Sequence, residues 1–272
     1  MNILDETFTL NTGATIPKIG FGTWQIPNGE DAYNSTALAL KNGYRHIDTA
    51  LVYGNEASVG KAIRDSGIDR SELFITTKLP AEIKDASKVQ EAFETSMINL
   101  DLEYVDLYLV HAPWPWAERG ADYRKENGEV WAEMEAIYAT GRAKAIGVSN
   151  FVVSDLEALF ETAKVIPAVN QIRYFIGNTQ AATVGLGNTK GILAEAYSPL
   201  ATGELLDNED IKAIADKYGK SVAQISLRFV LQNDLLPLPK STNEDRIKQN
   251  ADLNFEISAE DMDYLNSLEL SI

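Results

Sequence analysis

A buried strand is predicted by the segment VDLYLV, residues 105–110, because the run is short and mostly apolar and has the length of a strand rather than a helix. Seven more short apolar runs occur along the chain, separated by segments with helical character. The eight predicted strands are residues 19–21, 45–47, 73–77, 105–110, 143–148, 168–170, 192–196 and 235–238. Strands that alternate with helices predict a parallel sheet with crossover helices.

The helices between these strands carry start and stop signals. Ser87 followed by Gln90, and Ser154 followed by Glu157, predict two capping boxes. Gly43 stands where a left-handed residue would end the helix before it. The pair Gly185 and Gly187 weakens another predicted helix, since each glycine costs about 1 kcal/mol relative to alanine.

Eight strand–helix units in about 250 residues have the size of a (β/α)8 barrel. The alternative, an open doubly wound sheet, favours a G-x-G-x-x-G turn after the first strand, and residues 20–25 do not complete that pattern. An Asn11-Thr12-Gly13 turn near the N-terminus predicts an additional β-hairpin. We therefore expect residues 1–272 to form a single-domain (β/α)8 barrel with an N-terminal β-hairpin.

Charge and composition narrow the range of possible functions. The 272 residues carry 24 Lys and Arg against 40 Asp and Glu, a net charge of −16, so nucleic acid and anionic membranes are poor partners. The chain has no Cys and only two His, which argues against a metal site. Neither a secretion signal nor a run of about 20 apolar residues is present. We expect a cytoplasmic monomer that binds a small molecule.

The ends of consecutive predicted strands carry residues suited to proton transfer. Asp48, Lys78 and His111 follow strands two, three and four, and Tyr53 lies five residues beyond Asp48. An ammonium beside a phenol favours the phenolate and lowers the phenol pKa, and a carboxylate can orient the ammonium. Each residue taken alone has a common structural role, as a loop cap, an ion-pair partner or a core histidine. Together they form a plausible proton donor for a developing alkoxide.

Several motifs resemble those of the aldo-keto reductase superfamily. They are GYRHIDTA (43–50) with YGNE (53–56), ITTKL (75–79), DLYLVH (106–111), GVSNF (147–151), AYSPL (196–200) and PKST (239–242) with Arg246 and Asn250. The resemblance covers nearly the whole chain in the same order, and small bacterial members of the diketogluconate-reductase or glyoxal-reductase kind are most similar.

The resemblance implies NADPH-dependent reduction of aldehydes or ketones on a (β/α)8 barrel, with small polar carbonyls as substrates. The implied catalytic residues are Asp48, Tyr53, Lys78 and His111, with Tyr53 as the proton donor. The implied cofactor contacts are Thr23, Trp24, Ser149, Asn150, Gln171, Tyr197, Ser198, Leu200, Lys240, Ser241, Thr242, Arg246, Gln249 and Asn250. The implied substrate contacts are Trp24, His111 and Trp114.

Independently of the resemblance, residues 240–247 predict an anion site. Ser241 or Thr242 is predicted to cap a helix that runs through Ile247, and Lys240 and Arg246 flank its start. A helix N-terminus with two cations attracts a phosphate even on an acidic protein.

The chain departs from the family pattern at four places. Arg173 lies two residues after Gln171, where an acidic residue is common, and Gln249 replaces a usual Glu. Ala112 replaces a common Trp, which shifts the expected pocket wall towards Trp114 and Trp116. The sequence also stops without the long C-terminal tail of larger members, so we expect an open pocket.

Two other classes of protein remain as alternatives. A cofactor-binding sensor would bind NADPH with negligible turnover. A short-chain dehydrogenase would need Tyr-x-x-x-Lys, and no Tyr in the chain has Lys four residues later.

Overall fold

An antiparallel hairpin precedes the main sheet, as the Asn11-Thr12-Gly13 turn predicted. The computed structural model describes residues 2–270. Strands β1 (Thr7–Thr9) and β2 (Thr15–Pro17) pair with Phe8 opposite Ile16, and Gly13 in the turn has a φ of 85°. Ile16 is buried against apolar side chains from the barrel strands. The hairpin therefore closes one end of the barrel.

The main sheet has eight parallel strands, and each overlaps a predicted one. They are β3 (Phe21–Gly22), β4 (His46–Asp48), β5 (Phe74–Leu79), β6 (Leu107–Val110), β7 (Ile146–Ser149), β8 (Val169–Arg173), β9 (Leu193–Tyr197) and β10 (Leu236–Leu238). Neighbours in the sheet follow chain order from β3 to β10. This order is that of a (β/α)8 barrel, so the predicted fold is confirmed.

Two backbone hydrogen bonds join the first and last strands. Gly20 N donates to Pro237 O over 3.1 Å, and Gly22 N donates to Pro239 O over 3.0 Å. A Cβ on residue 20 would lie 2.4 Å from Leu238 Cδ2 and 2.6 Å from His46 Nδ1. Only glycine allows this close approach, so Gly20 closes the barrel.

The helices surround the barrel. They are α1 (Glu30–Lys41), α2 (Glu56–Asp65), α3 (Val89–Leu100), α4 (Arg124–Ala139), α5 (Val153–Phe160), α6 (Ala181–Thr189), α7 (Glu209–Tyr218), α8 (Val222–Gln232), α9 (Glu244–Ala251) and α10 (Ala259–Ser267). The stop predicted at Gly43 is confirmed: α1 ends at Lys41, and Gly43 has a φ of 95°.

Both predicted capping boxes are wrong. Asp85 accepts the N–H and the hydroxyl of Ser87, which places Ser87 in a 3-10 turn before α3 begins. In α5 the carboxylate of Asp155 accepts the N–H of Val152, and Ser154 lies inside the first turn. In each case a nearby aspartate, a stronger charge-assisted acceptor than serine, makes the cap.

The segment with two glycines is a helix, α6, rather than a loose stretch. A Cβ on residue 187 would lie at an ordinary contact distance, 3.6 Å, from Ile192 O, whereas a Cβ on residue 185 would meet nothing within 4 Å. Packing of the helix against the barrel outweighs the low propensity of both glycines.

Gly147→Ala and Gly185→Ala should change stability in opposite directions. A Cβ at residue 147, in β7, would lie 2.6 Å from Val169 O and 2.7 Å from Leu109 Cδ2, so overpacking should cost about 1–3 kcal/mol. Alanine at residue 185 meets no atom and raises helix propensity, so it should stabilise by about 0.5–1 kcal/mol. Urea unfolding of both variants measures this. Shifts of the same sign would contradict the packing described for one of the two sites.

Candidate active site

The residues predicted to transfer a proton lie at the carboxyl ends of β4, β5 and β6. Asp48 is the last residue of β4, Lys78 is the penultimate residue of β5, and His111 directly follows β6. Tyr53 ends a 3-10 turn after β4. Lys78 Nζ donates to Asp48 Oδ1 over 2.7 Å and to the Tyr53 hydroxyl oxygen over 3.3 Å. The three side chains are therefore in direct contact.

The turn that carries Tyr53 is held by Asn55. Asn55 Nδ2 donates to the backbone oxygens of Thr23 and Ile26 over 2.9 and 3.0 Å, and its Oδ1 accepts from the Thr49 hydroxyl over 2.8 Å. Asn55 is fully buried, so losing any of these bonds would leave a costly unpaired group. Because Thr49 and Asn55 lie on either side of the turn, their bond fixes the position of Tyr53.

Lys78 is a fully buried cation with every donor used. Its third hydrogen bond goes to Thr49 O over 2.8 Å. Burial lowers the pKa of Lys78, but the Asp48 carboxylate and the Tyr53 oxygen more than offset this, so its pKa stays above the usual value. Since the Tyr53 oxygen accepts from Lys78, the phenol proton is left for another acceptor.

The pKa of Tyr53 differs from the value expected from sequence. Burial raises it to about 12, Lys78 lowers it in part, and Asp48 raises it. The expected effect of Lys78 has the right sign, but the expected net lowering is wrong because desolvation outweighs it. Tyr53 therefore keeps its proton at neutral pH, and it remains a stronger acid than water.

His111 is a neutral ring beside Tyr53. The two ring centroids lie 5.6 Å apart at an interplanar angle of 70°. Burial, with a smaller contribution from Lys78, lowers the pKa of His111 well below its usual value. Its Nδ1 is buried without a hydrogen-bond partner among residues 2–270. His111 can thus donate or accept one hydrogen bond, but it carries no extra proton at neutral pH.

A buried carboxyl group, Glu195, was not among the predicted site residues. Gln171 Nε2 donates to Asp48 Oδ2 over 2.9 Å and to Glu195 Oε2 over 2.8 Å, so one amide nitrogen bridges two acids. Burial, then the Asp48 charge, raise the pKa of Glu195 to about 8. The signal in the sequence was a charged residue inside a predicted buried strand.

A cavity of about 1420 Å³ opens above this cluster. Most of the predicted site residues line it: Trp24, Asp48, Tyr53, His111, Trp114, Ser149, Asn150, Gln171, Tyr197, Ser198, Leu200, Lys240, Ser241, Thr242, Arg246, Gln249 and Asn250. Lys78 and Thr23 do not line it. Lys78 lies beneath Tyr53, and the buried Thr23 hydroxyl donates to Asp48 O over 2.9 Å.

Hydrogen bonds fix one wall of the cavity. Asn150 has a φ of 62°, its Nδ2 donates to His111 O over 3.0 Å, and its Oδ1 accepts from the Tyr197 hydroxyl over 2.7 Å. Ser149 Oγ donates to Gln171 O over 2.8 Å. The Gln171 Oε1 atom accepts no hydrogen bond within residues 2–270. This wall therefore presents an amide acceptor and polar side chains to a ligand.

Aromatic side chains form another wall. The Trp114 and Trp116 rings meet edge to face with centroids 5.3 Å apart, and Trp116 lies 5.4 Å from His111. Trp24 also lines the cavity and is 46% exposed. Trp114 and Trp116, which were expected to form the pocket wall in place of a Trp at residue 112, both line the cavity.

The far end of the cavity carries cations, but the predicted helix cap there is wrong. Asn243, not Ser241 or Thr242, caps α9, because its Oδ1 accepts the N–H of Arg246 over 3.0 Å. Acidic residues Glu244 and Asp245 occupy the first turn of α9. Attraction of an anion at this end therefore depends mainly on the Lys240 and Arg246 side chains.

Residues 2–270 lack two further features, a cluster of metal-binding side chains and a membrane-spanning helix. No group of three or more His, Asp or Glu side chains is placed to hold a metal ion. None of the helices there is long and apolar enough to cross a bilayer.

The fold is a (β/α)8 barrel, and the residues predicted to transfer a proton lie at the carboxyl ends of its strands, where barrel enzymes have their active sites. The chain belongs to the aldo/keto reductase family, since the profile of that family matches residues 18–270. It is accordingly an oxidoreductase that acts on carbonyl groups.

Individual relatives support the same assignment. Glyoxal reductase of Bacillus subtilis (strain 168) is 44% identical over 97% of this chain and 93% of its own length. A 9,11-endoperoxide prostaglandin H2 reductase of Trypanosoma cruzi (strain CL Brener) is 36% identical over 98% of this chain and 93% of its own. The crystal structure of an aldo/keto reductase from Brucella melitensis matches with a TM-score of 0.89 and 42% identity, covering 96% of this chain and 98% of that one.

Glu195→Gln should change how stability depends on pH. In the native chain the pKa of Glu195 is about 8, whereas an unfolded Glu ionises near 4.5. The protonated, buried Glu195 therefore contributes its full share to the free energy of unfolding below pH 4.5, and this contribution is lost as the pH rises to about 8. The variant lacks this dependence. Its unfolding free energy relative to the parent should rise with pH across that window, by up to about 1.4 kcal/mol per pH unit, and level off above it. Urea unfolding between pH 5 and 9 measures the difference. A pH-independent difference would mean that Glu195 titrates normally.

Proposed function

We propose that the protein reduces small polar aldehydes and ketones to alcohols with NADPH, and that Tyr53 donates the proton. One contact carries this proposal: the buried Lys78 ammonium bonds both Asp48 and the Tyr53 oxygen beneath the cavity. That arrangement leaves a phenol proton facing a ligand, next to a cation that stabilises the phenolate left behind.

The cavity wall fits the polar end of the cofactor. A carboxamide offers N–H donors and one oxygen acceptor. The Gln171 Oε1 atom accepts nothing among the described residues, and both Nε2 hydrogens are committed to Asp48 and Glu195, which leaves the amide oxygen for the ligand. Ser149 and Asn150 line the same wall, and the Tyr197 ring beside them is suited to stack on a flat heterocycle.

The other end of the cavity fits a phosphate. Lys240 and Arg246 are exposed cations that form no ion pair among residues 2–270, and the Ser241 and Thr242 hydroxyls lie beside them. Guanidinium and ammonium groups bind phosphate through charge-assisted hydrogen bonds. Ser198, Leu200, Gln249 and Asn250 complete the proposed cofactor contacts. When bound, NADPH supplies a hydride to the carbonyl carbon.

The protein's own residues supply the proton and hold the carbonyl. Tyr53 holds its proton in the neutral range because burial keeps its pKa near 12. As negative charge develops on the carbonyl oxygen, the phenol transfers that proton and Lys78 stabilises the phenolate. His111 is neutral and aligns the same oxygen with a single hydrogen bond. Asp48 and Thr49 fix Lys78, and through it the phenol.

Aromatic rings line the proposed substrate side of the cavity. Trp114, Trp116 and Trp24 provide apolar surfaces around His111 and Tyr53. A relative with 44% identity is a glyoxal reductase, which supports short carbonyl compounds as substrates. We propose broad tolerance among them, with Trp24, His111 and Trp114 in contact with the substrate.

Tyr53→Phe should lower the reduction rate by about 10²–10⁴-fold, because it removes the phenol proton that the carbonyl oxygen takes up, while NADPH affinity is retained. Lys78→Met should be comparably harmful. Single-turnover reduction of glyoxal, with cofactor binding followed by fluorescence, measures both effects. Tyr264→Phe is the matched control, since this exposed tyrosine lies on α10 and bonds Asp210. A Tyr53→Phe enzyme within a few-fold of the parent, together with an inactive His111→Ala, would transfer the acid role to His111.

Arg246→Gln should weaken NADPH binding by about tenfold or more and leave NADH binding nearly unchanged, because one charge-assisted hydrogen bond is worth about 1.5–3 kcal/mol. Lys248→Gln is the control: Lys248 is exposed on the same helix but pairs with Glu244. Dissociation constants for both cofactors test this. Equal affinity of the unaltered protein for NADPH and NADH would contradict the cofactor assignment.

A further inference from the structure

The cavity is positively charged although the protein is strongly acidic. Its five charged lining residues are Asp48, Arg119, Arg173, Lys240 and Arg246. The one carboxylate among them is already paired with Lys78, so four cations face the cavity of a chain whose net charge is −16. A cleft of one sign attracts ligands of the opposite sign.

The arginines in the cavity differ from those elsewhere. The chain has nine arginines, and most bond a carboxylate, an amide or a backbone oxygen; Arg70 with Asp106 is an example at 2.7 Å. Within residues 2–270, three guanidinium groups form neither an ion pair nor a hydrogen bond, those of Arg119, Arg173 and Arg246. All three line the cavity, where their free donors are available to a ligand.

Two of these arginines lie apart from the proposed phosphate end. Arg119 stands over the Trp114 and Trp116 rings, 5.3 and 5.8 Å from their centroids, and Trp116 contacts His111. Arg173 ends β8, is half-buried and stands 4.8 Å over the Phe175 ring. Arg119 reaches the cavity from the loop after β6, beside the rings next to His111, and Arg173 reaches it from the end of β8.

Arg173 and Tyr197 lie side by side on the cavity wall, and the Tyr197 hydroxyl is linked through Asn150 to the backbone of His111. Burial raises the pKa of Tyr197, and Arg173 and Arg119 each lower it in part. Arg173 pairs in register with Tyr197 on the adjacent strand. Stacking on aromatic rings holds each side chain at low conformational cost while its N–H groups stay free.

We propose that the physiological substrate carries an anionic group, a carboxylate or phosphate, and that Arg119 and Arg173 bind it while Tyr53 protonates the carbonyl. This proposal rests on the reductase activity proposed above and narrows its substrate class. A guanidinium fork matches both anions bidentately. An uncharged carbonyl compound would leave both cations unpaired.

A pair of substrates that differ only in charge tests the proposal. The probes are 4-oxobutanoate and its methyl ester, with glyoxal as the neutral reference. The unaltered protein should prefer the acid by about tenfold or more in kcat/KM, and the preference should shrink in 0.5 M NaCl. In Arg119→Gln, Arg173→Gln and the double variant, the ratio of acid to ester should fall towards one, mainly through KM. Arg124→Gln, whose parent residue pairs with Asp122 on the surface, should keep the ratio.

A binding measurement separates this proposal from the reductase proposal. Succinate has no carbonyl to reduce, and its binding should quench the fluorescence of Trp114 and Trp116 in the unaltered protein but not in the double variant. Equal use of acid and ester, with glyoxal reduced normally, overturns the anionic substrate and leaves the reductase intact. The anionic-substrate proposal is also overturned if the Arg119 and Arg173 variants lose NADPH affinity while the acid-to-ester ratio stays unchanged. That result would assign the two arginines to cofactor binding. If the protein reduces none of the three carbonyl probes, both proposals are overturned, whether or not succinate binds.

Discussion

The Lys78 ammonium lies inside the barrel with no exposed surface, and its three hydrogen bonds connect the fold to the site. Moving a charge out of water costs several kcal/mol unless partners are placed with good geometry. Asp48 and Thr49 are those partners, and both come from the end of β4. Lys78 can therefore be accommodated only if β4 and β5 pair in the observed register, with His46 opposite Phe74. The same strand register brings the Tyr53 oxygen within hydrogen-bond distance of the third N–H of Lys78.

The buried pair of Lys78 and Asp48 is connected to a second buried carboxyl group, that of Glu195. Asp48 uses one oxygen for Lys78 and the other for Gln171 across the barrel, and Gln171 in turn reaches Glu195 on the adjacent strand. Two acids that share one amide in a dry interior cannot both ionise cheaply, so Glu195 keeps its proton at neutral pH. The consequence for the proposed function is that the Gln171 amide has one orientation, with its oxygen left for a ligand.

The sequence predicted the architecture well because its signals are local. Eight apolar runs, the turn at residues 11–13 and Gly43 each depend on short-range stereochemistry, and all appear where expected. Helix caps were harder to predict, because Ser241, Thr242 and Asn243 are all suitable caps and only the packing of α9 selects Asn243. The net pKa of Tyr53 depends on how deeply the fold buries it, which no spacing reveals. Glu195 escaped prediction because Gln171 and Asp48 reach it from other strands. Arg119 escaped prediction because only the fold of its own loop places it over Trp114 and Trp116 at the cavity.

The central claim is that the phenol of Tyr53 is protonated while Lys78 is charged and His111 is neutral. A neutron crystal structure of the perdeuterated protein at pH 7 would locate these protons directly. We expect one deuterium on the Tyr53 oxygen, three on Lys78 Nζ, one on the His111 ring nitrogens and one on the Glu195 carboxyl. A Tyr53 phenolate beside a doubly protonated His111 would contradict the claim and place the transferable proton on the histidine.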